Sequence, residues 1–106
     1  RGRKLDAVTH YRCVEQLGKV SLLAVQIETG RKHQIRRHLQ GLGHSIVGDD
    51  RYRPKRFVSV PGFPGRLWLH ARVLQLPGAD PIEDPLPTEL LDHLEVLRAC
   101  LQTGEE

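Results

Sequence analysis

The stretch "RKHQIRRH", residues 31 to 38, places six basic or imidazole side chains among eight residues. Such groups do two kinds of chemistry: they neutralise phosphates, and a guanidinium holds a carboxylate ionised and in a fixed plane. Which residue does which depends on the face it occupies. On a helix of about 100° per residue, Leu39 and Leu42 fall within about 40° of Ile35, Arg36 lies about 100° away, and Arg37 about 200° away. Arg36 then borders the buried face, where its guanidinium needs a carboxylate or carbonyl partner, although an arginine snorkelling over the core has the same spacing. Arg37 faces solvent or a phosphate. His33 and His38 are five residues apart, about 140° round the helix, unlike the i, i+4 pairs that chelate zinc, and no metal is expected. A helix-turn-helix reader of DNA would need a second helix just upstream, where the sequence looks like strands.

The elements that position these groups follow from pattern. Residues 8 to 17, "VTHYRCVEQL", and 20 to 27, "VSLLAVQI", read as two strands joined by a tight hairpin at Gly18-Lys19. The helix runs from about Lys32 to Leu42, with Thr29 and Gly30 at its start and Gly43 to end it. "HSIVGDDRY" reads as a brief strand and turn, "RPKRFVSVPGFPG" as a proline-broken loop, and "RLWLHARVLQLP" as a further strand. After the irregular connector "PGADPIEDPLP", a second helix from Thr88 to about residue 102 aligns Leu90, Leu94, Leu97 and Leu101, with acids early as a helix dipole prefers. The class is α+β, with a mixed, largely antiparallel sheet and short helices.

Composition bounds the function. The 106 residues make one domain at most, 39% hydrophobic and 27% charged, and no apolar run approaches the roughly 18 residues that span a bilayer, so no membrane partner is expected. Cys13 and Cys100 fit neither a disulfide framework nor a zinc knuckle, and a reducing cytoplasm is the simplest location. The net charge of +3 is unevenly spread: residues 31 to 56 carry eight Lys and Arg against two Asp, whereas residues 80 to 106 carry one Arg against eight acids. The basic middle is a phosphate-binding footprint, and the acidic tail reads as a solvated helix face. The chain opens "RGRKLD" without a methionine, so processing, a tag or a cut from something longer is expected.

The letters themselves resemble a family. "TGRKHQIRRHLQGLGHSIVGDDRY" is similar to the signature of the RluA-type RNA pseudouridine synthases, roughly T-G-R-x-H-Q-[IL]-R-x-H followed by G-H-x-I-x-G-D-x-x-Y. "AVTHYRCVEQ" resembles that family's A-x-T-x-[YF] strand and "LWLHARVLQLP" its L-x-H-A segment, in the right order over about residues 5 to 77. The doubled arginine of "HQIRRHL" leans towards the tRNA-modifying branch, with rRNA enzymes close by. The resemblance implies an isomerase that detaches uracil from its ribose, rotates it and reattaches it through carbon 5, with no cofactor and with tRNA or rRNA as partner. Of the family's central residues, a nucleophilic aspartate, a base-stacking tyrosine and an arginine paired with the aspartate, only the arginine maps here, as Arg36. No H-R-L-D segment occurs in the 106 residues. Asp6 in "KLDAVTH" has the spacing of the family's L-D-x-x-T but reads as a surface acid. The chain is therefore expected to be the C-terminal part of a synthase catalytic domain, inactive alone, lacking its N-terminal half and prone to self-association. The alternative is a non-catalytic RNA-binding module or truncated paralogue.

Beside the resemblance, each remaining residue has its own expectation. Gly30 lets the chain turn into the helix. Arg31 holds the loop or contacts RNA, and Lys32 and Arg37 meet phosphates or solvent. His33 and Gln34 bond backbone groups that fix the motif. Gly48 and Asp49 make a turn in which Asp49 caps local amides, and Arg51, Arg53, Lys55 and Arg56 edge a loop where they steer RNA. Tyr52 packs against or lines the pocket. His70 is a buried hydrogen-bonding histidine, and Tyr11 and Trp68 are core.

Overall fold

The computed structural model describes residues 7 to 56, 59 to 74 and 77 to 103. Asp6 lies outside them. The elements are β1 (Thr9–Leu17), β2 (Val20–Ile27), α1 (Gln34–Gly41), β3 (Val73–Leu74), β4 (Ile82–Glu83) and α2 (Thr88–Thr103). Two antiparallel pairs, β1 with β2 and β3 with β4, make up the sheet structure of the described residues. The α+β class and the largely antiparallel pairing hold, with both pairs among the described residues antiparallel.

Gly18 closes the β1–β2 hairpin at φ 67°, a left-handed conformation that suits a tight turn. A bulge decides what this hairpin buries. Cys13 pairs with Leu23 but Glu15 pairs with Leu22, so Val14 is the extra residue, and the alternation of β1 shifts by one. Leu17 is thereby turned onto the face of Val20 and Leu22, where it meets Leu94 and Leu97 of α2. Val60, Trp68 and Leu86 pack around this small core. Thr9, Tyr11 and Cys13, before the bulge, lie on the opposite face, which explains a correction: Tyr11, expected in the core, is 55% exposed.

Helix α2 buries Leu90, Leu94 and Leu97, and His93 joins them, whereas Leu101, placed on the same stripe by its spacing, is exposed. Two ion pairs fasten the helix. Arg98 donates from both Nε and Nη2 to Glu15 of β1, at 2.9 and 2.7 Å, and Arg66 donates to Glu89 at 2.7 Å.

Two expected strands do not form. Residues 44 to 52 are irregular chain, a turn and a bend, with one strand-like bond from Trp68 N–H to the Val47 carbonyl. Among the described residues of "RLWLHARVLQLP", Val73 and Leu74 are the ones paired as a strand, and their partners Ile82 and Glu83 come from the connector expected to be irregular. The reason is local. The carbonyls of Leu67 and Leu69, which a strand would offer to a neighbour, are taken by the Arg66 guanidinium, and Leu69 N–H bonds back to Leu67. Residues 75 and 76 of that segment lie outside the described residues.

Candidate active site and RNA-facing surface

Helix α1 begins without a side-chain cap. His33 occupies the cap position with φ 51° and makes no capping bond. The helix start is held instead by Gln34, a buried amide that satisfies all four of its hydrogen-bonding positions. Its Oε1 accepts from the Thr29 hydroxyl at 2.7 Å and from Arg31 N–H at 3.1 Å. Its Nε2 donates to the Val8 carbonyl at 3.0 Å and to Thr9 Oγ1 at 2.8 Å. A backbone donor on one side and a backbone acceptor on the other fix the amide's orientation. Thr9 Oγ1 also bonds His38 Nδ1 at 2.7 Å, so both ends of the α1 inner face are tied to β1. Breaking a buried network of this kind costs more than its separate bonds suggest.

One turn further along, Arg36 meets its carboxylate. Nε donates to Asp49 Oδ2 at 2.9 Å and Nη2 to Oδ1 at 2.8 Å, the two-pronged geometry that suits a planar guanidinium. Oδ1 accepts two more bonds, from Arg51 N–H at 3.0 Å and Tyr52 N–H at 2.9 Å. The Asp49 side chain is completely buried and that of Arg36 is 17% exposed. The Arg36 hydrogen bonds, opposed by burial and helped by the two backbone amides, hold the Asp49 carboxyl down from 3.8 to about 2. Gly48 brings Asp49 into place. It has φ +84°, and a Cβ built there would stand 2.3 Å from the Arg66 carbonyl oxygen, so neither the conformation nor the space admits a side chain.

Tyr52 closes the cluster. Its ring lies beneath the Arg36 guanidinium, 5.2 Å from carbon to centroid, with Arg51 at 5.8 Å. Its hydroxyl bonds His33 Nδ1 at 3.0 Å, the two rings meeting edge to face at 77°. Burial, and then the positive charges of Arg36, Arg51, Lys32 and Arg37, push the His33 imidazole below its ordinary 6.5. Protonation of the ring is thereby opposed beside the guanidiniums.

Thr29, Gln34, His33, Arg36, Gly48, Asp49 and Tyr52 are thus brought together around the start of α1. Gly30 is exposed there, with nothing within 4 Å of a Cβ built on it. Arg31, Lys32, Arg53, Lys55 and Arg56 are all exposed. The Gln40 amide donates to the Arg53 carbonyl at 2.9 Å and ties the basic loop to α1. Arg37 is set apart: it borders a different, open cleft of about 390 Å³ shared with Tyr11, His38 and Leu42. His70 belongs to the β3–β4 region, where Nε2–H donates to the Asp84 carbonyl at 2.7 Å.

Three features of this region are not plain from the sequence. Asp49 was expected only to cap amides, and its grip on Arg36 was not foreseen; the border position of Arg36 was the available signal. Thr9 and His38 went unread as anchors, and nothing in their spacing marks them. His93 was also missed, although it lies on the α2 leucine stripe: Trp68 Nε1–H donates to its Nδ1 at 2.9 Å and its Nε2–H donates to the Pro61 carbonyl at 2.8 Å, which fixes one neutral tautomer.

No helix among the described residues is long and apolar enough to cross a membrane. Residues 2–41 match the family described as RNA pseudouridylate synthase. Over 93% of its length the chain is 61% identical to an uncharacterised RNA pseudouridine synthase of Chlorobaculum parvum, covering 36% of that protein. It is 37% identical, over 94% of its length, to ribosomal large subunit pseudouridine synthase D of Escherichia coli K12, covering 35% of it. With the dual-specificity RNA pseudouridine synthase RluA of Vibrio cholerae it shares 45% identity over 65% of the chain and 27% of that protein. The chain spans about a fifth to a third of the length of the curated relatives it matches. The family match covers the hairpin and α1, which carries Gln34 and Arg36, and together with these relatives it makes the chain a member of the RluA-type family of RNA pseudouridine synthases.

Proposed function

We propose that this chain supplies the arginine and RNA-binding part of a site that isomerises uridine to pseudouridine in RNA. The observation that carries the reading is the use Asp49 makes of Arg36. Asp49 takes Nε and one Nη2 hydrogen, and no described residue bonds Nη1, so the second edge of the guanidinium is left for another carboxylate. A carboxylate nucleophile must be ionised and aimed, and two N–H groups in one plane do both. The nucleophilic aspartate then comes from a segment outside these 106 residues, and the uridine reaches it flipped out of its stack, at a cost of a few kcal/mol. The relatives' names favour this reading over a non-catalytic RNA-binding module.

Arg31, Lys32, Arg53, Lys55 and Arg56 serve as phosphate contacts near Arg36, and Arg37 as a separate one. Replacing two of them lowers the salt slope of RNA binding by about 1.4, at about 0.7 per contact. Both tRNA and rRNA remain within the proposal; the doubled arginine leans to tRNA. We place the protein in the cytoplasm, since two cysteines 87 positions apart in the sequence do not make a disulfide framework. The remainder of the catalytic domain is proposed to cover hairpin residues that are exposed here, Tyr11, Val14 and Ile27 among them. Without that cover, the chain associates with itself.

The test is tritium release from RNA labelled at carbon 5 of uridine. The chain alone is expected to release none. A protein that adds an aspartate-bearing N-terminal half is expected to release tritium and to lose it with Arg36→Ala. Release by the chain alone would overturn the assignment of the nucleophile, and an active Arg36→Ala variant would overturn the role of Arg36.

A further inference from the structure

We propose that Tyr52, held by His33, is a positioning residue that sets the plane of the Arg36 guanidinium and so aims its second edge at the reacting carboxylate. This rests on the role proposed above for Arg36. A two-pronged bond to Asp49 fixes the guanidinium within the carboxylate's plane but leaves it able to tilt about the line joining the two groups. The Tyr52 ring, 5.2 Å from the guanidinium carbon, closes one side of that tilt and attracts the cation through its face.

The ring is itself fixed at both ends. Its backbone N–H donates to Asp49 Oδ1 at 2.9 Å, and its hydroxyl is bonded to His33 Nδ1 at 3.0 Å. His33 stands three residues before Arg36 at the start of the same helix, which completes a closed circuit from Arg36 to Asp49, Tyr52, His33 and back. His33 also occupies a left-handed conformation, φ 51°, which costs free energy for any residue with a Cβ. Nothing in helix initiation calls for it, because His33 makes no capping bond, and a glycine would take that backbone without strain. What glycine could not supply is the ring nitrogen that holds Tyr52. Backbone strain retained beside a functional group is a pointer to a positioning role.

The experiment follows the Arg36 Nε–H signal by nitrogen-resolved NMR in the isolated chain, with the Trp68 indole signal as the check on folding. Tyr52→Leu removes the ring, and Arg36 Nε–H exchange with water is expected to rise roughly 3- to 30-fold. If that variant does not fold, Tyr52→Phe and His33→Asn decide, since each breaks the hydroxyl–imidazole bond while leaving the remainder, and a roughly two- to tenfold rise is expected. In the synthase that carries this segment, Tyr52→Leu is expected to lower kcat by the same 3- to 30-fold with KM for RNA unchanged, and Tyr52→Phe to restore most of it. Exchange at the wild-type rate in the folded variants overturns the proposal, as does a loss confined to KM. A wild-type synthase that releases no tritium, alongside the expected change in exchange, would sink the catalytic reading of Arg36 and leave the positioning of its guanidinium standing.

Discussion

Replacing Asp49 by asparagine tests the centre of the site through stability alone. Oδ1 accepts three bonds, from Arg36 Nη2, Arg51 N–H and Tyr52 N–H, and Oδ2 accepts one, from Arg36 Nε. An asparagine keeps its oxygen where the three bonds converge, so its amide must face Arg36 Nε–H, donor against donor. The negative charge is lost as well. The displacement of the Asp49 carboxyl from 3.8 to about 2 corresponds to about 2.5 kcal/mol, which solvent screening at the open side of the site reduces to about 1 to 2 kcal/mol. To this the donor clash adds, so Asp49→Asn is expected to cost about 2 to 3 kcal/mol. The folded-state pKa is the lower one, so the stabilisation is complete above 3.8 and is lost as the pH falls towards 2. Wild type in that acid window and Asp49→Asn at pH 7 should therefore resemble each other, and the variant should lose the part of the acid transition that Asp49 contributes. Urea unfolding across pH 2 to 7, followed by far-ultraviolet circular dichroism, reads both effects. A variant within about 0.5 kcal/mol of wild type at pH 7, or one with an unchanged acid limb, would refute the claim that Asp49 holds Arg36 as a buried charge.

Gly48→Ala is expected to destabilise the chain by more than about 2 kcal/mol in the same assay, since strain at φ +84° adds to a backbone contact of 2.3 Å. His93→Leu leaves Trp68 Nε1–H and the Pro61 carbonyl without the bonds they now make; a cost of about 2 kcal/mol is expected, with a shift in Trp68 fluorescence reporting the opened contact. The His33 ring should titrate below 6.5 by NMR, because burial and four nearby cations oppose its proton. Its folded-state pKa is the lower one, so its contribution to stability is present above pH 6.5 and is lost as the pH falls below that value. Arg36→Lys is expected to lose activity in the synthase by the margin of Arg36→Ala, since one ammonium cannot serve two carboxylates in one plane; retention of more than about a tenth of wild-type kcat would count against that.

Much of this was legible in the sequence where a local rule decided it. The hairpin could be read because apolar residues flank a Gly-Lys turn, and α1 because its stripe and the glycine at 43 agree; the helix spans Gln34–Gly41, inside the expected bounds. The strands that failed to form did so for reasons a pattern cannot carry. "RLWLHARV" has strand-like residues, but one arginine within it captures the carbonyls a neighbour would have used. Tyr11 was misplaced because a bulge at Val14 changes which face the later residues of β1 bury, and no residue type announces that bulge. In the site, the angle of Arg36 on its helix showed that it needed a partner but not which one, because that depends on how a loop thirteen residues later folds back. His33 was read as structural, and its φ became visible only in three dimensions.

The pairing of Arg36 with Asp49 bears on what the arginine contributes to chemistry. A lone guanidinium would draw a second carboxylate by charge, and in a protein interior that attraction is strong. Here the charge is already balanced by a buried carboxylate on the inner edge, so a second one meets a nearly neutral pair. What survives the cancellation is short-range and directional: N–H groups lying in a plane that Asp49 and the Tyr52 ring have fixed. In the role proposed for Arg36, such an arrangement would order the nucleophile without locking it in a tight ion pair, which would lower its reactivity as it raised its ionisation. It also holds the guanidinium in one place before any substrate arrives, so the role proposed for Arg36 would need no reorganisation when RNA binds. On this view Asp49 is as much a part of the catalytic design as Arg36, although it touches nothing that reacts.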